Sequence, residues 1–196
     1  MVTLVEIQKA QERIGKTLHH TPLDCSRTFS GMTDQQIYLK LENLQKTGSF
    51  KLRGALNKIL SLSPEEANRG VIAASAGNHA QGVAFGATEA NISSVIVMPE
   101  GAPIAKVSAT KGYGARVVLA GENYDEAYQK ACQIQQEEGQ TFIHAFDDPA
   151  VIAGQGTLGL EIFNELPEVG TVLVPMGGGG LAAGVAAFIK NVRPEI

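Results

Sequence analysis

The stretch "VIAASAGNHAQGVAFGATEANISSVIVM", Val71 to Met98, decides the fold. A β-branched run, VIAAS (71–75), gives way to a turn of small and polar residues. The segment NHAQGVAFGATEA, small and apolar throughout, then reads as a helix pressed against a sheet, and SSVIVM (93–98) as a second buried strand. Further along, ARVVLA (115–120) and TFIHA (141–145) repeat the strand signal. Before the last of them, YDEAYQKACQIQQEEG is amphipathic. Its Tyr124, Ala127, Ala131 and Ile134 recur at helical spacing, with Gly139 as terminator. Strands alternating with helices from about 71 to 145 are the signature of an α/β unit built on a parallel sheet.

Working outward, "MVTLVEIQKAQERIG" reads as an N-terminal helix, QIYLKLEN (36–43) as an alternating strand, DDPAVIAGQGTLGLEIFNEL (147–166) as a helix and TVLVPM (171–176) as a buried strand. The expected organisation is two-lobed: residues 1–52 and 147–196 form a large lobe around a four-stranded small lobe, 53–146. A ligand belongs in the cleft between them. The closing segment LAAGVAAFIKNVRPEI is an apolar helix that delivers the chain to Pro194 and no further strand. A chain ending inside its large lobe, with a sheet edge left unpaired, is therefore expected.

Composition excludes several classes of function. A net charge of −4, with no basic run longer than two residues, does not suit a nucleic-acid or anionic-membrane surface. The N-terminus has acidic residues inside its apolar periodicity, unlike a signal peptide, and no apolar run of about 20 residues exists to span a bilayer. The cytoplasm is the default compartment. Cys25 and Cys132 form no C-x-x-C pair, so neither a metal site nor a disulfide framework is expected, and both are read as reduced and structural.

Three stretches carry chemistry. In "VPMGGGGLAAG", Gly177, Gly178, Gly179 and Gly180 follow a strand and open a helix. Four glycines bring several N–H groups to one point without Cβ interference, at the positive end of a helix dipole, which makes an anion cradle suited to phosphate. A loose G-x-G-x-x-A through Gly177, Gly179 and Ala182 keeps a dinucleotide site as a rival, although that fingerprint belongs in the first βα turn. In "SAGNHAQG", Asn78 and Gln81 resemble an amide version of a capping box. The functional reading gives the Ser75 to His79 loop a small carboxylate or a ring hydroxyl to hold, with His79 as a titrating or supporting group. In "KTGSFKLRGA", Lys51 falls two to three residues into a helix expected to begin near 47–49. An ammonium facing the positive helix end has a lowered pKa and suits a Schiff-base role, but position alone does not separate this from a solvated lysine.

Together, "KTGSFKLRGA", "SAGNHAQG", "DDPAVIAGQGTLGLEI" and "PMGGGGLAAG", in this order, resemble the threonine dehydratase and serine racemase family. These are pyridoxal-phosphate (PLP) enzymes of fold type II, the two-lobed α/β fold of the tryptophan synthase β-subunit. The resemblance implies that Lys51 holds the cofactor as a Schiff base with Phe50 packed beside it, that Asn78 bonds the pyridine 3′-oxygen, and that Gly177 to Gly180 bind its phosphate. It also implies that Ser75, Ala76, Gly77, Asn78 and His79 hold the carboxylate of a small amino-acid substrate. "SFKLRG" and "SAGNHAQ" differ from the S-x-K-D-R and S-G-N-T-G of cysteine-synthase-like relatives, which argues against β-replacement. Serine racemases tend to place a second serine where this chain has Ala76, which favours the dehydratase.

The implied reaction is PLP-dependent β-elimination of L-threonine, or L-serine, to 2-oxobutanoate, or pyruvate, plus ammonia. Amino-acid metabolism including isoleucine biosynthesis is the implied context, and a homo-oligomer, dimer or tetramer, the implied assembly. The family continues beyond residue 196, where it supplies the partner of the pyridine nitrogen. The rival readings are a non-catalytic fragment of such an enzyme, a racemase, and an NAD-type dehydrogenase.

Overall fold

A computed structural model describes residues 2–196. In chain order the elements are α1 (Leu4–Ile14), β1 (Leu23–Cys25), α2 (Arg27–Thr33), β2 (Tyr38–Lys40), α3 (Lys51–Leu60), α4 (Pro64–Arg69), β3 (Val71–Ala74), α5 (Asn78–Glu89), β4 (Ser94–Met98), α6 (Ile104–Gly112), β5 (Arg116–Leu119), α7 (Tyr124–Glu138), β6 (Thr141–Phe142), α8 (Pro149–Glu165) and α9 (Gly180–Val192). A short 3-10 turn, Glu42–Leu44, follows β2.

The expected parallel sheet is present, in the order β5-β4-β3-β6, with Val71 paired to Ser94 on one side and to Thr141 on the other. Its two central strands are buried on both faces, which is why they read as unbroken apolar runs. Alternate residues separate cleanly. Val71, Ala73, Ile96 and Met98 pack with Ala80, Val83, Ala84 and Ala87 of α5. Ile72, Ala74, Val95 and Val97 pack with Ala127, Ala131 and Ile134 of α7. Tyr124, expected on that same stripe, is about half exposed. Gly139 ends α7 in the left-handed region at φ 75°, as its position predicts.

The order reverses at β3, since the chain leaves it toward β4 and β5 and later returns as β6 on the other side. Such a switch point opens a crevice beyond the carboxyl ends of the flanking strands, where α/β ligands bind. The Ser75 to Gly77 loop and the residues after Phe142 lie there.

A helical layer covers the rest. Helix α8 packs against α1, α3 and α9, and burying Ile7, Ala153, Leu158, Val185 and Phe188 makes a second core. The α3–α8 crossing is close enough that a Cβ on Gly154 would lie 2.5 Å from the Arg53 carbonyl oxygen.

Several expectations need correction. Residues 171–176 form no strand: no ladder partner exists for them among the described residues, and Leu173 and Met176 are 87 % and 77 % exposed. Alternation survives only in half-buried Val172 and Val174, which lean on the second core. The strand expected over 36–43 shrinks to Tyr38–Lys40, paired antiparallel with Leu23–Cys25, an element too short to read beforehand. The last sheet strand stops at Phe142 instead of 145, and α3 begins at Lys51 instead of 47–49. Both cysteines are free, but Cys25 is exposed and therefore no core residue. Among the described residues no helix is long and apolar enough to cross a membrane.

Candidate active site

Lys51 is the first residue of α3, and no side chain caps that helix start. Its ammonium donates to the carbonyl oxygen of Ala145 at 2.8 Å and sits 5.5 Å from the centre of the Phe50 ring. Burial lowers its pKa from the ordinary lysine range. The lowered pKa expected from the helix dipole is thus found, with desolvation as its cause.

The glycine run lies across the same cavity. About 320 Å³ is enclosed by Phe50, Lys51, Phe146, Met176, the four glycines and their neighbours Pro175 and Leu181. That falls at the lower end of small-molecule sites, roughly 300–1,000 Å³. Gly179 is left-handed at φ 85° and caps α9. A Cβ on Gly178 would reach the Phe146 ring at 2.4 Å, and one on Gly180 would meet the Phe146 backbone at 2.9 Å. Close packing and an open donor array therefore coexist. Among the described residues, no protein acceptor takes the N–H groups of Gly177, Gly178, Gly179 or Gly180.

The third stretch is shaped differently from its expected cap. Gly77, at φ −136° and ψ −141°, takes the N-cap place of α5, and Asn78 is the first helical residue with no capping bond. Its Oδ1 accepts instead from Lys106 Nζ at 3.0 Å. Gln81, the other half of the supposed box, has a buried Nε2 without a partner. Ser75 Oγ accepts from the Gly77 N–H at 3.2 Å and bends the loop, leaving Ser75, Ala76 and Gly77 half-buried and Asn78 exposed. His79 is buried, with Nε2 2.9 Å from the Ile143 carbonyl oxygen. A carbonyl only accepts, so Nε2 carries the proton and Nδ1 is a bare, buried acceptor without a partner. Burial pushes the pKa of His79 down to about 4, so it is neutral at physiological pH.

These five residues do not line the cavity that Lys51 shares with the glycines. They approach it through the backbone. A Cβ on Gly82, one turn along α5 from Asn78, would meet the Lys51 carbonyl carbon and the Leu52 nitrogen at 3.2 Å. All three stretches converge on Ile143 to Phe146: His79 on Ile143, Lys51 on Ala145, and Gly178 and Gly180 on Phe146. This seam was not foreseen, because main-chain carbonyls leave no mark in a sequence.

An amine in a cavity, four free N–H groups at a helix start, and a neutral acceptor nearby suit a phosphate-bearing carbonyl compound. A family model described as "Pyridoxal-phosphate dependent enzyme" matches residues 14–196. The chain belongs to this family.

Within the family, an L-threonine ammonia-lyase of Thermotoga maritima is 55 % identical over all of this chain and 49 % of its own length. The catabolic L-threonine dehydratase TdcB of Staphylococcus aureus (strain N315) is 51 % identical over all of this chain and 57 % of its own. Among solved structures, maize serine racemase superposes with a TM-score of 0.97 at 37 % identity, covering all of this chain and 59 % of that one. The α/β architecture of fold type II expected from the motifs is borne out by this family membership and superposition. The chain spans about half the length of the curated relatives it matches.

Proposed function

We propose that this chain forms the Lys51 half of a PLP-dependent threonine ammonia-lyase. The observation that carries the reading is that the Lys51 amine and four unpartnered glycine N–H groups open into one cavity. When bound, PLP supplies a reactive aldehyde and an electron sink for the carbanion at the substrate Cα.

The chain's own groups divide the remaining work. Lys51 Nζ, with its pKa lowered by burial, is the amine that would hold the cofactor and the base that would take the proton from the substrate Cα. Gly177 to Gly180 hold the phosphate through their N–H groups. Phe50 would flank the ring, and the Asn78 Nδ2 would donate to its 3′-oxygen while Oδ1 keeps its bond from Lys106. The loop Ser75 to His79 orients the substrate carboxylate. The net change is loss of the Cα proton and the β-hydroxyl as water, followed by hydrolysis to 2-oxobutanoate and ammonia, or pyruvate from serine.

In this reading residues 1–52 and 147–196 belong to a large lobe and 53–146 to a small one. The cytoplasm is the default compartment, and a homo-oligomer, dimer or tetramer, follows from the resemblance alone. The relative named catabolic favours a degradative over an isoleucine-forming role. The serine racemase likeness supports a racemase as the second reading. Ala76 weighs against it, since a methyl group offers no acid or base on the face opposite Lys51.

The test compares this chain with a chimera in which it is joined to the C-terminal half of the Thermotoga maritima relative, both supplied with PLP and, in separate reactions, L-threonine and L-serine. We expect the chimera to form 2-oxobutanoate and the isolated chain to form little. A PLP-loaded chimera that forms no 2-oxo acid contradicts the reading, and racemised serine without elimination supports the second.

A further inference from the structure

Two residues after Lys51, on the far side of the same helix, a second cation is held in a very different way. Arg53 is fully buried. Its Nε donates to Glu42 Oε2 at 2.8 Å and Nη2 to Glu42 Oε1 at 2.8 Å. Nη1 donates to Glu161 Oε1 at 2.7 Å and to Thr157 Oγ1 at 3.1 Å, and Nη2 again to Glu161 Oε2 at 3.0 Å. A guanidinium has five N–H donors, and all five are used. Two carboxylates grip it bidentately, one from the 3-10 turn before α3 and one from α8. Glu161 is fixed in turn by Lys40 Nζ at 2.9 Å, whose ammonium also reaches Glu165 and the Thr21 carbonyl.

This bracing adds to the Gly54 N–H bond to Gln155 Oε1 at 3.2 Å and to the close approach of α5 and α8. Helix starts leave N–H groups unpaired and fray unless a side chain caps them, and Phe50 at the N-cap position makes no such bond. At 3.6 residues per turn, side chains two apart point roughly 200° away from each other. Lys51 therefore faces the cavity while Arg53 faces Glu161. Because the guanidinium is planar and bound along two edges, it resists both rotation of the first turn about the helix axis and sliding along it.

We infer that Arg53 is a positioning residue: gripped between Glu42 and Glu161, it fixes the first turn of α3 and thereby holds the Lys51 amine in its buried place beside Ala145. The inference deepens the proposed function and relies on it for the use of Lys51, but its test needs no cofactor and no turnover.

The experiment is competitive acetylation of the full 196-residue chain across pH, with each lysine read by peptide mass spectrometry. Parent, Arg53→Lys and the uncharged triple variant Arg53→Met/Glu42→Gln/Glu161→Gln are compared, with cooperative thermal unfolding as the check of fold. The triple variant is included because Arg53→Met alone strands two buried carboxylates and can fail to fold. Lys58, two turns along α3, is the internal reference.

In the folded variants the midpoint of Lys51 labelling moves up toward that of an exposed lysine, further in the triple variant than in Arg53→Lys, while Lys58 labels alike in all three. A folded variant in which Lys51 labels with the parent midpoint overturns the inference and reduces Arg53 to a structural ion pair. Failure of the chimera to turn over threonine leaves the labelling shift intact, so the two failures are distinguishable.

Discussion

The two faces of α3 differ in how far their polar groups are satisfied. Behind the helix, Arg53 uses every donor, one of them on Thr157 Oγ1, and its carboxylates are held in addition by Thr21 and Lys40. In front, Lys51 has one carbonyl, His79 Nδ1 has nothing, and the glycine N–H groups are free of protein acceptors. Native structures leave few buried polar groups unpaired, and the exceptions ask for an explanation. Unpartnered atoms such as Gln11 Oε1, Ser94 Oγ and Gln140 Oε1 lie elsewhere, but around α3 the unsatisfied groups fall on the side where a ligand is proposed and the satisfied ones where only rigidity is wanted. Changes behind the helix should cost stability, and changes in front should cost ligand.

The largest effect tests the back. Arg53→Met alone leaves the largely buried Glu42 without a cation and Glu161 with Lys40 alone, and we expect urea unfolding to show a loss of about 3–5 kcal/mol. A loss below about 1 kcal/mol would erase the contrast between the faces.

Next comes His79, which belongs to the front yet is fully buried. Its folded pKa, about 4, lies below the ordinary value of 6.5. Between these values the unfolded chain binds the proton and the folded chain does not, so stability rises with pH through this window and falls as the solution is acidified. The difference of roughly 2.5 units corresponds to about 3 kcal/mol lost from pH 6.5 to pH 4. In His79→Gln that component is absent, and parallel pH profiles for the two proteins would show that His79 does not titrate this way.

Smaller still is Gly180→Ala, whose methyl would press on the Phe146 backbone. We expect about 1–3 kcal/mol of overpacking cost together with weakened binding of inorganic phosphate, followed by calorimetry. Gly177→Ala meets nothing within 4 Å and should stay within about 0.5 kcal/mol of the parent. Small as well is Lys51→Met, which removes a half-buried amine with a single partner and should change stability by less than about 1 kcal/mol. An amine of that kind is available for chemistry in a way that Arg53 is not.

What could be read in the sequence follows the same divide. Strands β3 and β4 were legible because burial on both faces makes them continuous apolar runs. TVLVPM has the same pattern as SVIVM and a different fate: a strand needs a neighbour, and propensity cannot supply one. Lys51 and the four glycines were legible as local signals. The seam from Ile143 to Phe146 was not, since its contacts run largely through backbone carbonyls. The capping-box alternative for Asn78 fails because Gly77, which has no side chain to cap with, occupies the N-cap place. The Arg53 grip had a signal that went unused. Arg53 stands alone among Leu52, Gly54, Ala55 and Leu56, as Glu161 does within the apolar α8, and two lone opposite charges inside buried helices belong together.

The central claim is that Lys51 is the amine that takes the cofactor while the glycine run holds its phosphate. Borohydride reduction of the PLP-treated chain, followed by peptide mapping, tests it most directly. The account predicts that the pyridoxyl label concentrates on Lys51 and is displaced by excess inorganic phosphate. A label spread over exposed lysines such as Lys46 and Lys111, with Lys51 unmodified, would contradict it.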